Sequence, residues 1–160
     1  MNKQAGGSDI DEKMVACTQR NLDWLSDNFS TPQPEGVQTA DARSLRLPEN
    51  VSSIVTEGYL GPIMYNQPAK AEADRLAEES DSLLRATLDN LHPQLAPKAR
   101  LCLAAPAWKV DQQNVTPSVV DDHSISGYNR VSLKDISTYD LLYRRDSQYV
   151  GRQLILLERN

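Results

Sequence analysis

The pattern of apolar and polar positions predicts strands that alternate with two long helices. Apolar residues recur every three or four positions in residues 14–29 and again in residues 69–91, which is the spacing of an amphipathic helix. Short runs of β-branched and other apolar residues predict strands, the last two of them buried, at 37–40, 52–56 and 99–104. One more strand is expected to end within residues 4–9, and a loop is expected at 31–36.

The end of the chain has the pattern of a β-hairpin. Residues 139–144 and 149–158 are the two strands, and the polar residues 145–148 form the turn. Residues 109–137 are polar, and a short helix is expected only near 132–136. Strands that alternate with helices predict an α/β fold with a mainly parallel sheet, to which the hairpin adds one antiparallel strand.

The strand at 52–56 ends in a turn, residues 57–62, that holds an acid, an aromatic residue and two glycines. Ligands of open α/β sheets bind beyond the carboxyl ends of the strands. Glycine also lets a ligand approach the backbone closely. The turn is therefore a candidate site, and an ordinary polar loop is the alternative.

Composition limits the kinds of partner. The net charge of −5 argues against a surface that grips nucleic acid by itself, because phosphate contacts need clustered cations. No apolar run approaches the length of a membrane span, so no membrane partner is expected. Cys17 and Cys102 stand far apart in apolar patterns, which predicts buried, reduced thiols in a cytoplasmic protein. Cys and His are too few and too scattered for a metal site.

Four segments carry a family resemblance. They are residues 7–11 (GSDID) with the helix after them, residues 41–43 (DAR), residues 55–61 (VTEGYLG) and the hairpin at 143–159. Together they resemble the class I S-adenosylmethionine-dependent methyltransferases, and most closely the RNA methylase family that includes the THUMP-associated tRNA guanine-N2 methyltransferases. The third segment resembles that family's Val-Thr-Asp-Pro-Pro-Tyr-Gly motif.

The resemblance implies S-adenosyl-L-methionine as the cofactor. It also implies an exocyclic amine of RNA, the N2 of a tRNA guanine, as the methyl acceptor. Asp9 matches the acid that holds the cofactor ribose, and Asp41 with Ala42 matches the motif that meets the adenine. Asp9 can also act as a helix cap in a capping box with Glu12, and Asp41 can be an ordinary turn residue.

In the ungapped comparison Glu57 takes the place of the motif's Asp. It is the candidate catalytic residue, because an acceptor beside an amine can orient its N–H bonds. Tyr59, also assigned to catalysis, can stack on a flipped base. Gly58, Leu60 and Trp108 are the expected substrate-binding residues. The alternatives are a solvated acid for Glu57, loop packing for Tyr59 and core packing for Trp108.

The family's glycine-rich cofactor loop has no counterpart, since none of the seven glycines forms a Gly-x-Gly. Residues 1–160 are therefore expected to be the carboxyl-terminal part of a methyltransferase catalytic domain that lacks its first strand. RNA would be captured through the missing amino-terminal part. The chain alone is expected to be inactive and to self-associate through exposed strand edges. Arginines 144, 145 and 152 are expected to form a solvated face.

Three other functions remain open. A dinucleotide-binding oxidoreductase would also place an acid on a ribose, but the chain has no glycine fingerprint for a dinucleotide. A non-catalytic or split-half module that needs a partner would account for the absent glycine loop. A DNA amino-methyltransferase would use the same amine chemistry.

Overall fold

The computed structural model of the chain describes residues 5–29, 31 and 36–160, and Tyr139 by its backbone alone. The chain divides into two compact units, Met1–Arg46 and Leu47–Asn160, which are taken one at a time. Residue 4 and most of the loop predicted at 31–36 lie outside the described residues.

In the first unit, one helix connects two short strands. Strand β1 (Gly6–Asp9) pairs in parallel with β2 (Gly36–Thr39), and helix α1 (Glu12–Phe29) lies between them in sequence. Asp9 stands opposite Thr39, so both strands end at the same edge. The strand–helix–strand order predicted for this part of the chain is confirmed.

Helix α1 begins with a cap by Asp11. Its Oδ1 accepts the backbone N–H of Lys13 at 2.8 Å, which satisfies one of the free amides of the first turn. Asp9 Oδ1 instead accepts the backbone N–H of Asp11 at 2.8 Å. The capping box predicted for Asp9 and Glu12 is therefore wrong, because the acid directly before the helix takes the capping role.

The apolar face predicted for α1 exists, but it is exposed. None of the helix residues is buried, and Trp24 and Phe29 are 57% and 62% exposed. Their rings meet edge to face with centroids 5.5 Å apart. Burial of apolar surface is the dominant favourable term in folding. The helix of the first unit thus forms with little of this stabilisation.

The second unit is built on a six-stranded mixed sheet. Its strands are β3 (Ser53–Glu57), β4 (Arg100–Val110), β5 (Gln113–Val115), β6 (Tyr128–Arg130), β7 (Leu142–Tyr143) and β8 (Val150–Arg159). They lie in the order β3-β4-β8-β6, with β5 paired to β4 and β7 paired to β8. The β3–β4 pair is parallel, and the other pairings are antiparallel.

The helix predicted at 69–91 is present as α2 (Lys70–Leu91), and its predicted stripe packs against the sheet. Its buried residues are Ala73, Leu76, Ala77, Ser80, Leu84, Thr87, Leu88 and Leu91. The carboxyl half of the stripe joins the main core, and the amino half packs around Trp108. The α-helix ends at Leu91, before Pro93, as predicted.

Strand β3 is an edge strand rather than the buried strand that its β-branched residues predict. Its side chains alternate between half-buried and exposed, and Val55 is 82% exposed. Among the described residues β3 pairs with β4 alone, so its other edge carries unpaired backbone groups. The burial prediction is wrong because β-branched residues indicate a strand without indicating how many neighbours it has.

Strand β4 extends well beyond Ala104, where the predicted strand ends. It passes through Pro106 and continues to Val110. Trp108, predicted to follow the strand, therefore lies inside it. The sequence prediction stopped early because proline is rare in the interior of a sheet.

Pro106 is tolerated because its missing N–H faces a side of β4 without a partner strand. Lys109 N–H donates to Tyr149 O at 2.8 Å, so odd-numbered residues of β4 form the hydrogen bonds with β8. Pro106 is even-numbered and faces the side of β3, which has already ended at Glu57.

The carboxyl-terminal hairpin is confirmed, with a shorter first strand than predicted. Strand β7 contributes only Leu142 and Tyr143 to the pairing, and Thr138–Leu141 is a 3-10 turn. Strand β8 also pairs along its length with β4, as the antiparallel strand of the predicted α/β fold. The helix expected near 132–136 is wrong, since the chain turns there and Asp135 has a φ of 60°.

Other expectations concern thiols, metals and membranes. Cys17 and Cys102 are unpaired, and both are half-buried rather than buried. Among the residues that the structure describes, no three His, Cys, Asp or Glu side chains cluster as metal ligands. Neither described helix is long and apolar enough to cross a membrane.

We expect hydrogen exchange to distinguish the two units. Amides of α1 should exchange through local opening because none of its residues is buried, whereas amides in the buried part of β4 should require global unfolding. Native-state exchange followed by NMR should protect residues 101–105 at least about a hundredfold more than residues 15–26. Equal protection would contradict the exposure of α1.

Candidate functional site

The first unit places two acids at one edge of its strand pair. Asp9 is the last residue of β1, and Asp41 follows two residues after the end of β2. Ala40 N–H donates to Asp9 O at 2.9 Å, which keeps the two strands paired at their carboxyl ends. The topology therefore brings together the two acids predicted to bind the cofactor.

Asp9 is exposed and uses one carboxylate oxygen within the chain. Its Oδ1 accepts the N–H of Asp11, and among the described residues Oδ2 has no partner. A carboxylate with one oxygen fixed and the other free can accept a hydrogen bond from a ligand hydroxyl. The local turn and the predicted ligand role are compatible.

Asp41 is engaged by Arg43. Its Oδ1 accepts the backbone N–H of Arg43 at 2.9 Å, and its Oδ2 accepts from Nη2 at 2.6 Å. The side-chain hydrogen bond from Arg43, followed by the backbone one, lowers the pKa of Asp41 to about 2. Asp41 therefore forms a closed turn with Arg43, and Ala42 between them is half-buried.

In the second unit, Glu57 is the last residue of β3 and is paired with Arg152 of β8. The guanidinium Nε of Arg152 donates to Glu57 Oε1. The two residues lie on either side of β4, and their side chains are 52% exposed for Glu57 and 29% exposed for Arg152. The solvated face predicted for the arginines is therefore wrong for Arg152.

The solvated face predicted for the arginines is also wrong for Arg144, while Arg145 is exposed as predicted. Arg144 Nη2 donates to the carbonyl of Ala107 at 2.9 Å and lies at hydrogen-bond distance from Asn114 Oδ1. Burial lowers the pKa of Arg144 from its ordinary value. Within the described ranges, the hydrogen bond of the Arg145 side chain is a long one, 3.4 Å, from its Nε to Tyr143 Oη.

The segment after Glu57 is held at three points, two on β4 and one on the residue that follows it. Gly58 N–H donates to Ala104 O at 3.2 Å. Gly61, with a φ of 85°, lies so close to Trp108 that a Cβ there would be 3.2 Å from the indole Cζ2. Gln67 Nε2 donates to Asp111 Oδ1 at 3.1 Å. The turn is therefore supported by the sheet.

The supported segment presents apolar side chains to solvent. Tyr59 is 54% exposed, and Ile63 and Tyr65 are 80% and 83% exposed. Leu60 and Gly58 are half-buried. Exposed rings on a supported turn can stack on a planar ligand, and the sequence had indicated only Tyr59 for this role.

Trp108 has a different place from the one predicted. It is 0% exposed and packs with α2, and its Nε1 has no partner among the described residues. A fully buried ring offers no surface to a substrate, so its place is the core-packing alternative. It acts on the turn indirectly, by supporting Gly61.

Sequence reasoning missed Arg152 as the partner of Glu57. The two residues are 95 positions apart, and only the strand order β3-β4-β8 brings them together. No local spacing in the sequence carries that information. Tyr65 could have been noticed as an aromatic residue in the loop before Pro68.

No family model matches the chain. It is 35% identical over 108 residues to the tRNA (guanine(10)-N2)-dimethyltransferase of Methanothermobacter thermautotrophicus, a match that covers 68% of the chain and 28% of that protein. The chain thus matches less than a third of the length of this curated relative. The resemblance inferred from the motifs is confirmed.

Solved structures confirm the fold. The chain aligns over 98% of its length with TrmN from Thermus thermophilus, covering 36% of that chain with a TM-score of 0.60 and 18% identity. It aligns over 98% of its length with the N-methyltransferase NodS from Bradyrhizobium japonicum, solved with S-adenosyl-L-homocysteine, covering 66% of that chain with a TM-score of 0.55 and 11% identity. The α/β fold is thus that of methyltransferase structures.

We expect Gly61→Ala to destabilise the second unit by about 1–2 kcal/mol, because a Cβ at positive φ is strained and would press on Trp108. Gly58→Ala is the matched control in the same turn, since its Cβ would make ordinary contacts at 3.4 and 3.5 Å. Denaturant unfolding measures both. Equal losses of stability would contradict the role given to the indole.

Proposed function

We propose that this chain belongs to an S-adenosylmethionine-dependent methyltransferase that methylates an exocyclic amine of RNA, with a tRNA guanine N2 as the acceptor we favour. The observation that carries the proposal is Glu57, an exposed carboxylate at the carboxyl end of β3 before a turn that β4 supports. The methyltransferase fold and the 35% identity to a tRNA guanine-N2 enzyme support the same assignment. The cytoplasm, where tRNA is found, is the location that fits it.

The first unit supplies the residues for the cofactor. The free Oδ2 of Asp9 fits a ribose hydroxyl, which needs an acceptor at that point. Both oxygens of Asp41 accept hydrogen bonds from Arg43, so the Asp41–Arg43 turn would meet the adenine as a preformed edge, with Ala42 in between. When bound, S-adenosylmethionine supplies an electrophilic methyl group. NodS, which has the same fold, was solved with the demethylated product of this cofactor.

Glu57 would act on the acceptor amine. An exocyclic amine of a base is conjugated with the ring, so its lone pair must be turned toward the methyl group before it can react. A carboxylate that accepts an N–H bond orients the nitrogen and stabilises the positive charge that develops there. The methyl group would pass directly from the cofactor's sulfur to the amine nitrogen, so that S-adenosylhomocysteine leaves and the methylated amine releases one proton to solvent, and this transfer would use neither a metal nor a covalent bond to the protein.

The turn would hold the base itself. Tyr59 lies two residues after Glu57, and its exposed ring can stack on an unpaired base. Tyr65 extends the apolar surface along the same segment. Gly58 and Leu60 lie between Glu57 and Gly61, where they would border the bound base. The capture of the remaining RNA is assigned to parts of the whole protein beyond this chain.

A second candidate is a module that functions only with a partner. Strand β3 has an unpaired edge among the described residues, and Val55 on it is 82% exposed. A groove of about 220 Å³ adjoins it, lined by Val55, Cys102 and Leu156 among others. An unpaired edge beside an apolar groove suits a further strand, either from another protein or from a second copy of the chain.

We expect Asp9→Ala to weaken S-adenosylmethionine binding at least about tenfold, because the ribose loses a charged hydrogen-bond acceptor. Calorimetry on the whole natural protein measures the affinity. Asp11→Ala is the control, since it removes the neighbouring cap of α1 and leaves Asp9 in place. Unchanged affinity in Asp9→Ala would remove Asp9 from the cofactor site.

We expect Glu57→Gln to lower methyl transfer to tRNA on the order of a hundredfold while leaving cofactor affinity nearly unchanged, since the acid acts on the amine in the transition state. Single-turnover transfer of labelled methyl groups by the whole natural protein measures the loss. Glu158→Gln, which removes another arginine-paired carboxylate of the same sheet, is the control. Full activity in Glu57→Gln would leave Glu57 as a loop acid.

A further inference from the structure

The ion pair between Glu57 and Arg152 leaves part of each group free. Arg152 Nε donates to Glu57 Oε1, and among the described residues nothing else donates to Oε2. The terminal nitrogens Nη1 and Nη2 of Arg152 likewise have no acceptor in the part of the chain that the structure describes. The ion pair at the end of β3 therefore has one acceptor oxygen and two donor nitrogens without partners among the described residues.

Their relative placement is constrained. A guanidinium is planar, so Nη1 and Nη2 lie at fixed positions next to the Nε that contacts Glu57. Both side chains start from sheet residues, Glu57 at the end of β3 and Arg152 near the start of β8. With 29% exposure, Arg152 is partly covered but still open to solvent.

Stability alone gives little reason for this pair. An ion pair this exposed contributes little to folding, because water screens the charges and the long side chains lose entropy. A second Arg–Glu pair lies on the same sheet and joins the neighbouring strands β4 and β8 near the other end of β8, between Arg100 Nε and Glu158 Oε2 at 3.6 Å. That pair stands away from the turn and provides a natural comparison.

An acceptor beside a donor matches a feature shared by amino-bearing bases. In guanine, the exocyclic N2 amine lies beside the ring nitrogen N3, which is a hydrogen-bond acceptor. Adenine and cytosine also carry an acceptor ring nitrogen next to their amines. An amine facing Oε2 would place this neighbouring nitrogen near the guanidinium.

We infer that Glu57 and Arg152 together recognise the amine and the ring nitrogen beside it, with Arg152 donating to that nitrogen. The inference rests on the proposed function, in which Glu57 faces the acceptor amine. Arg152 is then a substrate-binding residue that also keeps Oε1 of Glu57 occupied, so that only Oε2 faces the amine. For a guanine substrate, the predicted contact is from an Nη of Arg152 to N3.

The test compares guanosine 5′-monophosphate with its 3-deaza analogue, in which a C–H replaces N3 and the amine is kept. Titration of the 160-residue chain, followed through the backbone amides of Gly58 and Gly61 by NMR, measures both affinities. We expect the analogue to bind about tenfold more weakly, since it leaves a charged donor without its acceptor. Equal affinities of the unsubstituted 160-residue chain for the two nucleotides, or no binding of guanosine 5′-monophosphate, would overturn the inference.

Variants assign the effect to Arg152. Arg152→Met keeps most of the aliphatic volume but removes the donors, so both nucleotides should bind with the same reduced affinity. Arg152→Leu also removes the donors, so the preference should disappear there too; it is the variant to use if Arg152→Met does not fold. Arg100→Met is the matched control and should retain the tenfold preference. If either variant of Arg152 still prefers guanosine 5′-monophosphate over the analogue, the inference is overturned.

The outcome is separable from that of the proposed function, because the binding test needs neither cofactor nor methyl transfer. If the protein methylates tRNA but does not distinguish the two nucleotides, the proposed function stands and the role of Arg152 is overturned. If the chain distinguishes the two nucleotides but the whole protein transfers no methyl group, the recognition by Glu57 and Arg152 stands and the methyltransferase function is overturned.

Discussion

The second unit depends on the burial of β4 between its neighbours. This strand pairs with β3 on one side and with β8 on the other, and most of its residues are inaccessible to solvent. Its amino half carries the apolar core, and its carboxyl half carries Trp108, against which Gly61 rests. The turn after Glu57 therefore takes its shape from a side chain 47 positions beyond Gly61, counted from 61 to 108. Packing, more than local turn preference, sets the geometry of the candidate site.

The sequence predicted the elements better than their environments. Periodicity located α1 and α2, because a helix repeats its pattern over many residues, and the terminal hairpin followed from its polar turn. Exposure was harder to predict. Val55 and Phe29 occupy apolar positions of the predicted strand and helix, yet both are exposed, because burial depends on which other elements lie nearby. Pro106 led to a strand predicted too short, because only the strand order shows that no partner strand needs an N–H at this position.

The two arginine–carboxylate pairs illustrate the same limit in the candidate site. Arg43 lies two residues from Asp41, so this pair could have been inferred from a short turn, and it lowers the pKa of Asp41 to about 2. Arg152 reaches Glu57 only through the topology of the sheet. The family resemblance indicated the acids of both units, because motifs are local in sequence. It could not indicate the cation that orients Glu57, since that contact joins two distant strands.

Pro106 has a consequence for how such a site can change during evolution. Arg100 N–H donates to Ser52 O at 3.0 Å, and with the alternation of the ladder the amide of position 106 would donate to the carbonyl of Gly58. Proline has no such amide, so the ladder lacks the hydrogen bond that would continue β3 beyond Gly58, and this is where the chain leaves the sheet. A residue of a neighbouring strand thus helps to determine where the candidate turn begins. A substitution at position 106 would change the shape of the turn even if the sequence of the turn itself stayed the same.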